Sequence, residues 1–230
     1  MDMLNKDVRA ATQTKFDTEL VSPVRLLFFT QEPGRLLLSD HLKGQECLYC
    51  RETRQLLEEV SSLANKVSLN IYDFTADQDR VKEYGIDKIP GLVIRNAQDS
   101  GIRFFGIPSG YEFMSLIEAI IDVSKGRTGI SAKTREALQA LPEDVRIQVF
   151  VTPTCPYCMS AVRLAHQFAL ESPRIRGDMV EATEFPHLAH KYNVFGVPKT
   201  VINETAFIDG AVPETVFLDH VLKAVGPNKK

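Results

Sequence analysis

Cys155-Pro156-Tyr157-Cys158, with Tyr192-Asn193-Val194-Phe195-Gly196-Val197-Pro198 downstream, has a counterpart 108 positions earlier: Cys47-Leu48-Tyr49-Cys50 and Tyr84-Gly85-Ile86-Asp87-Lys88-Ile89-Pro90. Both cysteines, the tyrosine and the closing proline keep that one offset, so the chain carries a duplicated unit. Outside this block the register slips. Val24-Arg25 matches Val145-Arg146 at an offset of 121, which leaves 13 additional residues in the first copy, within Gln31 to Glu46. Gly106 and Phe113 match Gly210 and Phe217 at an offset of 104, so the second copy is four residues shorter around Asn96 to Gly101.

Each copy shows the same order of elements. An amphipathic helix comes first, over Lys6 to Leu20 and Lys133 to Leu141, the second preceded by Ser131 as its N-cap. Short apolar runs, Val24 to Phe29 and Arg146 to Val151, have the length and β-branched or aromatic content of buried strands. A cysteine pair follows each, and then a helical pattern: Leu56, Leu57, Val60, Leu63 and Ala64 in one copy, Ala161, Val162, Ala165, Phe168 and Ala169 in the other. Strands are expected at Val67 to Asp73 and Ile175 to Ala182, and helices ending at Tyr84-Gly85 and Tyr192-Asn193. Hairpins should open at Gly91 to Arg95 and Lys199 to Asn203, and closing helices lie near Glu112 to Val123 and Thr215 to Val225.

Alternating strands and helices followed by a hairpin imply an α/β class: two tandem domains, each a three-layer α/β/α sandwich with a mixed sheet. The expected division is residues 1–125 and 126–230, with Lys125 to Ile130 as the linker. Two domains also suit a chain of 230 residues. A net charge of -3 provides no broad positive field for nucleic acid or anionic lipid. The amino-terminal stretch is interrupted by charge, without a secretory apolar core or a membrane span, so a cytoplasmic location is expected.

All four cysteines fall in Cys-x-x-Cys pairs, which in a cytoplasmic protein points to metal binding or redox catalysis. A shared zinc site would need the sulfurs of pairs 104 residues apart to converge on one ion, against about 15–20 residues in a compact ribbon. No metal or cofactor is therefore expected. Disulfide exchange needs one thiolate to attack and a second thiol near enough to resolve the mixed disulfide. A helix N-terminus stabilises the thiolate through its free N–H groups and dipole. Cys47 and Cys155 are the expected nucleophiles. Cys50 and Cys158, placed one turn into their helices, are the expected resolving thiols, and each pair should close its own disulfide. Tyr49 and Tyr157 occupy matching third positions, where a ring either packs beside the helix or faces substrate. His166 lies eleven residues beyond Cys155, about three turns along one helix, too far to serve as its base. His187 and His190 are expected at the surface.

These residues resemble the thioredoxin superfamily. Cys155-Pro156-Tyr157-Cys158 is similar to the glutaredoxin active-site tetrapeptide, and the segments ending in Pro90 and Pro198 resemble the thioredoxin loop that carries a cis-proline. Across nearly the whole chain, the tandem copies resemble the protein disulfide oxidoreductases of thermophilic prokaryotes. The resemblance implies a protein thiol–disulfide oxidoreductase that reduces, forms or isomerises protein disulfides, with thioredoxin reductase as electron donor. It also implies cis bonds at Pro90 and Pro198 that present the backbone of Ile89 and Val197 to an extended substrate.

The resemblance is incomplete. Val149 stands six residues before Cys155, where thioredoxins carry a buried acid, and Gly91 and Lys199 replace the usual threonine after the proline. No Gly-Gly follows Pro198, so glutathione is not the expected partner. The alternative class is a thioredoxin-fold chaperone or adaptor with regulatory thiols. Retention of both cysteines in both copies argues against it, since binding alone needs neither.

Overall fold

The computed structural model describes residues 3–31 and 47–225. Apart from Gln31, the insertion expected within Gln31 to Glu46 lies outside the described residues, as does His41. The first half runs α1 (Lys6–Glu19), β1 (Val24–Thr30), α2 (Cys50–Ser62), β2 (Val67–Asp73), α3 (Gln78–Glu83), β3 (Gly91–Arg95), β4 (Asp99–Phe105) and α4 (Glu112–Lys125). The second repeats the order: α5 (Ala132–Gln139), β5 (Val145–Val151), α6 (Cys158–Glu171), β6 (Ile175–Glu181), α7 (Pro186–Lys191), β7 (Lys199–Ile202), β8 (Ala206–Asp209) and α8 (Glu214–Val225).

Local chemistry accounts for the element ends. Ser131 caps α5 as expected, its hydroxyl accepting the Thr134 N–H at 3.2 Å, and Asn5 caps α1 by accepting from Val8 at 2.9 Å. The shorter second hairpin turns through Asn203 and Glu204, both with left-handed backbone. The longer first hairpin instead shifts register between Ile94 and Arg95.

The strands form one sheet in the order β2-β1-β3-β4-β6-β5-β7-β8. Within each half, the first two strands are parallel and the hairpin strand next to them is antiparallel. The halves join where β4 pairs parallel with β6, from Ile102 opposite Gly177 to Phe105 opposite Val180. Strand alternation then sorts side chains between two layers. Val24, Leu26, Phe28, Val145, Ile147 and Val149 face a large apolar layer shared with α1, α2, α4, α5, α6 and α8, continuous across both halves. Leu27, Phe29, Phe105, Phe150 and Val180 face a smaller layer completed around α3 and α7 by Val81, Tyr84, Phe185 and Tyr192.

On that smaller face the seam between the halves is ionic. Asp178 on β6, fully buried, accepts from Arg146 Nε and Arg176 Nε, both at 2.7 Å. Arg146 reaches on to Asp87 of the first half at 2.8 Å, and Arg176 Nη1 donates to the Gly85 carbonyl at 2.8 Å. Burial alone would raise the Asp178 carboxyl, but Arg176, Arg146 and Lys88 outweigh it and hold the group below the usual carboxylate range.

Candidate active site

Each dithiol lies where a parallel strand passes into a helix, β1 into α2 and β5 into α6. Because β1, β4, β6 and β5 all run the same way, both dithiols sit at the same end of the sheet. Cys47 and Cys50 form one disulfide and Cys155 and Cys158 the other, with Cα atoms 5.5 Å apart in each. Local closure is the outcome expected from the three-residue spacing.

Cys50 and Cys158 are the first helical residues, not one turn in as the sequence suggested. The reason is the preceding turn: the Tyr49 carbonyl already accepts the first helical bond, from Thr53 at 2.8 Å, and Cys47 stays outside the helix. Cys50, Cys158 and Cys155 are buried, Cys155 at 8% exposure, whereas Cys47 is half-buried. Cys155 is thus more covered than Cys47. Tyr49 and Tyr157 are both exposed, Tyr157 to 70%, and so stand out from the core.

The Ile89-Pro90 and Val197-Pro198 bonds are both cis. In the second site the Val197 carbonyl oxygen is 3.6 Å from Cys155 Sγ, within reach of a thiol proton once the disulfide is reduced. A hollow of about 480 Å³ beside it is lined by Val197, Pro198, Lys199 and Phe195, whose ring is 95% exposed. In the first site Ile89 and Cys47 line one cleft of about 710 Å³. This cleft is built by both halves. Gln31, Leu48, Phe74, Asp87 and Lys88 belong to the first, and Thr183, Glu184, Phe185, Pro186 and His187 to the second.

Val149 is fully buried in the apolar layer, so β5 provides no acid beneath its dithiol. Two carboxyls that the sequence did not single out, one buried and one half-buried, lie at this end of the molecule. Glu112, the first residue of α4, is 1% exposed, and neither carboxyl oxygen has a well-formed hydrogen bond. Burial pushes it up to about 7, offset only slightly by Ser115 one turn on. It follows directly on Tyr111, whose N–H donates to the Pro153 carbonyl at 3.0 Å in the loop leading to Cys155. Glu184 is raised to about 7 by burial, helped by Glu181 and Glu52 and opposed by the Ile107 N–H. An acid near a helix start reads in sequence as a dipole partner, and nothing in the spacing marks its burial.

The histidines divide as expected. His187 and His190 are at the surface, although His187 also borders the Cys47 cleft. His166 is buried in α6, its Nε2 paired with the Arg103 carbonyl at 3.2 Å; burial drops its pKa to about 3, so the ring is neutral. Among the described residues no group of three or more acidic, histidine or cysteine side chains is placed to hold a metal ion, and no helix is long and apolar enough to cross a membrane.

A thioredoxin-domain family model matches residues 145–223. The solved protein disulfide oxidoreductase of Aeropyrum pernix superposes with a TM-score of 0.84 at 32% identity, covering 96% of this chain and 93% of that one. The solved F subunit of the alkylhydroperoxide reductase of Enterococcus faecalis superposes with a TM-score of 0.83 at 27% identity, covering 95% and 99%. A curated relative, the F subunit of the alkyl hydroperoxide reductase of Xanthomonas campestris pv. phaseoli, is 29% identical over 160 residues, 70% of this chain and 28% of that protein. The chain thus spans under a third of the length of the curated relatives it matches.

Proposed function

The chain belongs to the protein disulfide oxidoreductase family of the thioredoxin superfamily, and from that footing we propose that it exchanges electron pairs between its two dithiols and the disulfides of protein substrates. The supporting observation is the pairing, twice over, of a Cys-x-x-Cys at a helix start with a cis-proline loop. In the reducing direction, Cys47 or Cys155 attacks a substrate disulfide as the thiolate and forms a mixed disulfide, releasing one substrate thiol. Cys50 or Cys158 then loses its proton and attacks its neighbour, so the chain's own disulfide forms as the second substrate thiol leaves. Two electrons pass to the substrate. Oxidation is the same sequence in reverse.

Ile89, Pro90, Val197 and Pro198 hold the substrate segment as an added strand. Tyr49 and Tyr157 flank it with exposed rings. The units are residues 1–125 and 126–230, the location is the cytoplasm, and a thioredoxin reductase restores the dithiols. The burial of Cys50 and Cys158 supports the division of roles, since the residue that meets substrate must be the more accessible one.

Reduction of insulin by dithiothreitol tests the proposal. The intact chain should accelerate it, and a Cys47→Ser/Cys155→Ser double variant should not. A rate for the intact chain no higher than the uncatalysed background would overturn the proposal and favour the chaperone or adaptor alternative.

A further inference from the structure

The cleft that opens on Cys47 contains a carboxyl from the other half of the chain. Glu184 lies just beyond the end of β6, where its Oε1 accepts the Ile107 N–H at 2.6 Å. Its Oε2 is buried and has no hydrogen-bond partner among the described residues. The turn after β4 makes this possible: Gly106 has φ +90°, and a Cβ there would lie 2.7 Å from Oε1 and 2.5 Å from the Glu181 Cβ. Glu184 and Cys47 line the same cleft, and Glu52, in the first turn of the helix that Cys50 begins, is near enough to act on the Glu184 charge. The strand leading to Cys47 provides no substitute. Phe28, the counterpart of Val149, is buried in the apolar layer.

We propose that Glu184, contributed by the second half, is the proton-exchanging carboxyl of the Cys47/Cys50 dithiol in the first half. This rests on the oxidoreductase reading above. When a substrate sulfur is bonded to Cys47, the Cys50 thiol gives its proton to the Glu184 carboxylate. The Cys50 thiolate attacks Cys47 Sγ, the Cys47–substrate bond breaks and the Cys47–Cys50 bond forms. The departing substrate thiolate takes up a proton, which returns Glu184 to its carboxylate. Electrons balance, with one dithiol oxidised and one disulfide reduced.

An effective proton acceptor titrates near the working pH. Burial holds Glu184 at about 7, with the like charges of Glu181 on β6 and Glu52 on α2 acting in the same direction. Among the described residues, Asp87 and Lys88, paired with each other at the cleft wall, and His187 on α7 are the remaining charged or titratable groups lining the cleft.

The test uses the full chain with Cys155→Ser and Cys158→Ser, leaving one dithiol, reduced and mixed with 5,5′-dithiobis(2-nitrobenzoate). The first thionitrobenzoate released reports attack by Cys47, and the second reports resolution by Cys50. The second phase should rise with pH to an inflection near 7. Glu184→Gln should remove that inflection and slow the phase at pH 7 by at least about 10²-fold, while the first phase changes little. Glu184→Asp should recover part of the rate and an inflection, which a packing role would not produce. An unchanged second-phase profile in Glu184→Gln, or equal losses in both phases for Gln and Asp, would overturn the assignment. The insulin assay separates the two failures: if the intact chain turns over insulin while this profile is unmoved, only the Glu184 assignment falls.

Discussion

The Tyr111 N–H donates to the Pro153 carbonyl at 3.0 Å, so the last loop of the first half lies against the loop that delivers Cys155. Gly110 permits the contact. Its φ is +60°, and a Cβ there would sit 2.1 Å from the Pro153 oxygen. Gly110→Ala should therefore cost about 1–3 kcal/mol from backbone strain alone, with the clash added. Thermal unfolding should show the loss, and disulfide exchange at Cys155 should slow more than at Cys47. Equal effects at both dithiols would mean that the loop does not position the second site.

Asp178→Asn should be among the most destabilising single changes at the seam, by about 3–5 kcal/mol, because Arg146 and Arg176 would lose their buried counter-charge. The Asp178 carboxyl is held below its unfolded value, so its contribution is complete above that value, near 3.8, and is lost as pH falls through the folded one. Urea titrations should show a large gap between parent and variant at pH 7 that narrows towards pH 3. A constant gap would assign the loss to packing instead of charge.

Glu112→Gln should have the opposite pH signature. The Glu112 carboxyl is raised from 4.5 to about 7, so the stability linked to its neutral form is full below 4.5 and lost as pH rises through 7. At pH 8 the variant should be more stable than the parent by about 3 kcal/mol, with no such gain at pH 4. Urea titrations of parent and variant across this pH range check the expectation, and a gain of equal size at pH 4 and pH 8 would refute it.

Cys155→Ser should lower insulin reduction more than Cys47→Ser. Pro156 suits the turn that opens α6, and the exposed rings of Tyr157 and Phe195 border the second site on an open surface. Cys47 instead faces the cleft built by both halves. The greater exposure of Cys47 argues the other way, so the comparison of both single variants on one protein substrate is decisive. A larger loss from Cys47→Ser would make the shared cleft the main substrate site.

The order of elements, the pairing of each cysteine with its partner three residues on, and the placement of both dithiols at helix starts were all legible in the duplicated sequence. These features depend on short spacings and on periodicities of two or 3.6 residues, which neighbours along the chain express directly. How the two copies join emerges only in the folded chain. The parallel pairing of β4 with β6, the seam around Asp178, and the meeting of Glu184 with a cleft on Cys47 all bring together residues far apart in the chain. Such contacts leave no periodic mark. Burial likewise belongs to the assembled fold: Glu112 and Glu184 are ordinary acids in the sequence, and they reach about 7 chiefly because the folded chain removes them from water.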